Sequence, residues 1–112
     1  MIVNLTRNVV IASRVRTAQD PWQRMKGLLG TREFPQGEAL VITHCQSIHM
    51  FFMKFPIDVV FCDQHNKVVG LCSAIRPFQL SPIFFKASYA IELPSGSIAS
   101  SNTKIGDKVK LN

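Results

Sequence analysis

Acidic residues are scarce: 7 Asp and Glu stand against 13 Lys and Arg in 112 residues, a formal charge of +6, and charged residues make up only 18% of the chain. Together with 46% apolar residues this excludes a disordered acidic or polyampholytic tail and describes one folded domain over residues 1–112, long enough to bury a core without metal or disulfide staples. Cysteine is also sparse. Cys45, Cys62 and Cys72 cannot all pair within one chain and none forms a CxxC, so reduced thiols are expected. Long apolar runs are missing as well. Asn4, Thr6 and Arg7 interrupt the first residues before a signal-peptide core develops, and the least charged stretch, Ala39 to Met53, is too short and too polar to span a bilayer. The expectation is a cytoplasmic protein with no membrane span. Phosphate-cradling and dinucleotide glycine patterns are absent, and no repeat or low-complexity tract divides the chain.

The cations that are present cluster early. Arg7, Arg14, Arg16, Arg24, Lys26 and Arg32 face Asp20 alone in the first 32 residues, a surface that attracts anions. Nucleic-acid association is one reading of this region, but Trp22 is its single aromatic, where nucleic-acid surfaces interleave several. A solvated basic face is the plainer one.

Extended structure dominates the pattern. Asn8 to Thr17 reads as a strand, and shorter strands are expected over Ala39–Thr43, Val59–Asp63, Lys67–Ser73, Phe84–Leu93 and Lys108–Leu111. Gln64-His65-Asn66 suits a hairpin loop with Asn66 left-handed, while Pro77, Pro82 and Pro94 argue against central-strand positions. One short helix is expected after Asp20-Pro21, because Trp22, Met25, Leu28 and Leu29 share a face and Gly30 stops the turn. Runs apolar on both faces, such as Val59-Val60-Phe61-Cys62, point to a mainly β (α+β) domain, a small closed or two-layer barrel-like sheet with one short helix.

Polar groups with chemical potential concentrate in Cys45 to Asp58, among phenylalanines and methionines. Asp58, placed just before an apolar strand, needs a partner, and Lys54 or Arg24 is the expected cation. Glu92, flanked by apolar residues, should likewise find a donor. Zinc or copper ligation by His44, Cys45 and His49, with Met50 and Met53 as soft donors, fits poorly: His44 and His49 point to opposite faces of an extended chain and no second cluster completes a tetrahedral set. No metal or other cofactor is expected. Cys45 or Ser47 with His49 lacks the environment that activates a nucleophile. Asp107 reads as the cap of its own turn.

Arg24-Met25-Lys26-Gly27-Leu28-Leu29, Ser47-Ile48-His49, Met53-Lys54-Phe55-Pro56-Ile57-Asp58, Ile91-Glu92-Leu93-Pro94-Ser95-Gly96 and Gly106-Asp107 together resemble a prokaryotic family, the domain of unknown function 192, over residues 9–111. The resemblance implies a small, mostly β, barrel-like domain with a short helix. It brings no established activity, substrate or cofactor. Asn66 stands where the family's hairpin usually has glycine, Leu29 where its motif often continues with methionine, and no counterpart of the leader or lipid anchor common in the family is expected here. By motif position Arg24, Met53, Lys54, Asp58 and Glu92 are the residues to test first. The leading expectation is a binding or accessory module whose apolar cleft, lined by Met50, Phe52 and Met53, is rimmed by Arg24, His49, Lys54 and Asp58 and takes a small anionic ligand or a peptide segment. The alternative is a small hydrolase or transferase with His49 as general base and Asp58 orienting it.

Overall fold

Ser13 divides the first extended run. In the structure, a computed structural model that describes residues 1–18, 34–50 and 53–111, the expected strand over Asn8–Thr17 is two: β2 (Val9–Ala12) and β3 (Arg14–Ala18) belong to different sheets. The amides of Ser13 and Arg14 both donate to the Gly37 carbonyl at 2.9 and 3.0 Å, a bifurcated clasp that turns the chain from one sheet into the other. Preceding them is β1 (Ile2–Asn4), and following are β4 (Glu38–Thr43), β5 (Ile57–Cys62), β6 (Val68–Ile75), β7 (Tyr89–Pro94) and β8 (Val109–Leu111). The helix expected after Pro21 lies outside the described residues. A helix the pattern did not signal, α1 (Ser97–Ser101), follows β7.

Five strands form one sheet in the order β3-β4-β7-β5-β6, and β2-β1-β8 form a second. β3 runs parallel to β4, and the other pairs are antiparallel. The sheets do not close into a barrel, yet they are joined at both margins. Ser13 links β3 to β2, and at the opposite margin an isolated bridge pairs Lys67 with Lys108, with the Val68 amide donating to the Asp107 carbonyl at 2.9 Å. The expected barrel-like, two-layer architecture therefore holds, with two seams in place of full closure. Asn66 is left-handed at φ 63°, as the hairpin required.

Strand alternation sorts the side chains of the large sheet into two cores. Val41, Val60, Cys62, Tyr89, Ile91 and Leu93 face the small sheet and pack with Ile2, Ala12, Val109 and Ile98. Leu40, Ile42, Ile57, Val59, Phe61 and Ala90 face the other way and are covered by Ile48, Met50, Met53 and Ala87. Burial on both faces explains the uninterrupted apolar character of β5 and β7. β7 begins at Tyr89, five residues later than the expected Phe84 start, because residues 84–88 turn. Pro94, expected to be excluded from a central strand, is the last residue of one and pairs with Ile57; a missing N–H is tolerated where the ladder ends.

Candidate functional site

Asp58 is 1% exposed, and among the described residues its partners are main-chain amides, not Lys54. Its Oδ1 accepts from the Ala74 amide at 2.8 Å, and its Oδ2 accepts from the amides of Gly96 at 3.1 Å and Ile98 at 2.8 Å. Ala74 sits at a bulge of β6 with φ 49°, and Gly96 is the N-cap of α1 with φ 95°. One carboxylate thus supplies the acceptors that a bulge and a helix start lack, from a strand between them. Lys54 is exposed, and the ion pair among the described residues is Arg7 with Asp107. The expected Asp58–Lys54 contact is replaced by three main-chain amides, which reach a buried acceptor without desolvating a second charge. Arg24 lies outside the described residues, as does Phe52.

Parity separates Asp58 from the other candidates. Ile57, Val59 and Phe61 belong to the core that contains Met50 and Met53, so Asp58 points into the opposite one, toward the small sheet. His49 forms an isolated antiparallel bridge with Leu80 at the exposed edge of the Met50 side. The structure therefore does not bring His49 and Asp58 together as a general-base pair, and Asp58 leaves the expected rim.

Glu92 is on the Met50 and Met53 face. It pairs with Leu40 on β4 and Val59 on β5, both members of that core, and is 8% exposed. Contrary to the expectation of a donor, no hydrogen bond or ion pair engages its carboxyl among the described residues. Burial alone, which penalises the charged form, pushes it up to about 7. Met50 and Met53 are buried beside it in the same core, with Lys54 following exposed.

The remaining candidates make contacts within the fold. The Cys45 thiol donates to the Ser47 carbonyl at 3.1 Å in a buried setting. Burial pushes the Cys62 thiol up to about 12 and raises Cys72. Asp107 accepts from the Lys104 amide at 2.9 Å, the turn cap anticipated, and also from Arg7 Nε at 3.0 Å and Asn4 Nδ2 at 3.0 Å. Sequence reasoning placed Glu92 by motif but missed which face it occupies; the alternation of Tyr89, Ile91 and Leu93 against Ala90 and Glu92 carried that signal.

Among known proteins, a UPF0127 protein of Thermococcus sibiricus is 35% identical over 113 residues, covering 97% of this chain and 73% of its own. A UPF0127 protein of Pyrococcus horikoshii is 33% identical, covering 98% and 97%. The crystal structure of a protein of unknown function from Novosphingobium aromaticivorans superposes with a TM-score of 0.86 at 20% identity, over 98% of this chain and 82% of that one, a likeness of fold. The model of DUF192, described as an uncharacterized ACR, matches residues 2–111. The chain belongs to the DUF192 family.

Proposed function

We propose that this domain is a binding module that receives an anionic small molecule or peptide segment with an apolar body on the Met50 and Met53 face of the five-stranded sheet. Glu92 is the observation that carries the reading: a carboxyl in an apolar core, with no hydrogen bond or ion pair among the described residues, supports a polar group kept for something outside the chain. In its neutral form it donates a hydrogen bond to an oxygen of the anion, as other buried carboxylic acids do. Lys54 and His49, both exposed, supply cationic and polar contacts, Met50 and Met53 the apolar core behind the site, and Arg24 a further cation by motif position. Asp58 contributes through the scaffold. The enzymatic alternative has less support, since the Asp58 carboxylate is taken up by main-chain amides and no hydrogen bond joins it to His49 among the described residues.

The test is a thermal-shift screen of small carboxylates and short acidic peptides at pH 6 and pH 8 on wild type and on Glu92→Gln. Compounds that stabilise the wild type are expected to do so more at the lower pH, and Glu92→Gln, which keeps a donor, to bind with that pH dependence removed. Hits whose affinity is indifferent both to pH and to the substitution would dismiss Glu92 as the contact.

A further inference from the structure

Residues 46–50 and 78–84 run beside each other as an irregular ladder. The Phe78 amide donates to the Met50 carbonyl and the Met50 amide to the Gln79 carbonyl, both at 2.8 Å; the Ser81 amide donates to the Ile48 carbonyl at 3.0 Å, and the Phe84 amide to the Gln46 carbonyl at 2.8 Å. Side-chain bonds reinforce it: the Ile48 amide donates to Ser81 Oγ, and Gln46 Nε2 to the Phe85 carbonyl, each at 2.8 Å. Phe84 anchors the far end, its ring 4.6 Å from that of Phe61 and lying over Gly70. A segment tied down at so many points is a built surface, and what it displays is apolar. Phe85 is 79% exposed, Leu80 67% and Ile83 56%. Apolar side chains concentrated on one exposed segment mark an interaction surface.

Charge chooses the partner. From Gln64 to Ile91 the sequence contains no Asp or Glu, while Arg76 and Lys86 bracket the apolar residues and are exposed. Side chains this exposed project from the surface, which suits insertion into a fluid interface better than the lining of a protein groove, and the tips are Phe, Leu and Ile where protein-binding hot spots favour Trp, Tyr and Arg. A second copy would bring the same cations face to face. We propose that the ladder is a peripheral membrane-docking surface that seats Leu80, Ile83 and Phe85 in the headgroup and acyl boundary of an anionic bilayer, with Arg76 and Lys86 on the lipid phosphates.

Co-sedimentation with phosphatidylcholine vesicles, with and without an equal share of phosphatidylglycerol, tests this at low and high salt. Wild type is expected to sediment with the anionic vesicles and to be released by salt. Leu80→Ser with Phe85→Ser and, separately, Arg76→Gln with Lys86→Gln should each weaken binding about tenfold or more, with thermal melting unchanged. Phe85→Trp should add an indole emission that moves to the blue on the anionic vesicles. Absence of vesicle binding overturns the proposal. So does full binding by the Leu80→Ser, Phe85→Ser variant, which would reduce the effect to charge. Retention on immobilised polyglutamate without vesicle binding would assign the surface to an acidic protein and likewise overturn it.

Discussion

Asp58 and Glu92 are both acids in apolar strands, and their environments give them opposite tasks. Three amides converge on Asp58. Asp58→Ala removes the acceptor of all three, leaving the Ile98 amide unsatisfied in a buried setting and those of Ala74 and Gly96 in part-buried ones; at about 1–3 kcal/mol for the buried donor and less for the other two, a loss of roughly 2 kcal/mol or greater is expected, to be read from the urea midpoint at constant m-value. Glu92 is buried with no hydrogen bond or ion pair among the described residues to offset it. Its carboxyl binds a proton more tightly folded, at about 7, than at its free value of 4.5, so folding takes up a proton between those values. Stability from this group is full below the unfolded value, declines as pH rises toward the folded one, and is level above it, a change of roughly 3 kcal/mol. Glu92→Gln should remove that slope and be the more stable protein at pH 8, checked by chemical denaturation across the range. At this scale the sequence announced that both acids matter, because an acid in an apolar strand is costly. It could not say which one was satisfied, since the amides of Ala74, Gly96 and Ile98 lie 16, 38 and 40 residues from Asp58.

Among the elements, β6 and the segment after it depend on Gly70. A Cβ there would overlap the Phe84 ring, which rests on the bare backbone and stacks on Phe61. Gly70→Ala should therefore cost about 1–3 kcal/mol by overpacking and speed hydrogen exchange at the amides of Phe84 and Ser81. Phe84→Ala in the same chain should recover part of the loss, because the overlapping ring is gone. Turn chemistry made much of this level legible: Asn66 took the left-handed position, and the strands over residues 39–43, 59–62 and 68–73 lie where β-branched and apolar runs end at turns. Two boundaries were invisible. The bend at Ser13 is made by Gly37, and the late start of β7 by packing of Phe84 over β6, contacts between residues far apart in the chain.

Across the whole molecule, the two chain ends meet in one buried polar network. Asn4 Nδ2 donates to Thr103 Oγ1 at 3.1 Å and to Asp107, and Arg7 reaches the same carboxylate. Burial works against the charge on Asp107, but the donors from Arg7, Asn4 and Lys104 outweigh it and hold the carboxyl below its ordinary range. The stabilisation is present above the ordinary carboxylate value and lost as pH falls through the folded one. Asp107→Asn is expected to lower the melting temperature near neutrality and to blunt the loss on acidification, measured by thermal melts over the acid range. The network also holds β1 beside β8, next to the Lys67–Lys108 bridge that joins β8 to the large sheet.

Local chemistry settled the class of this chain: strands where β-branched and apolar residues run together, turns where Asn, Gly and Pro punctuate them, and a family pattern that spans residues 2–111. Those features depend on neighbours within a few residues, and neighbours are what a linear pattern records. Facing and partnership came from the fold. Whether an acid in a strand meets amides or emptiness follows from register and from which strands lie on either side, set by pairings between residues tens of positions apart. That is why Asp58 meets three main-chain amides while Glu92, on the other face, has no hydrogen bond among the described residues.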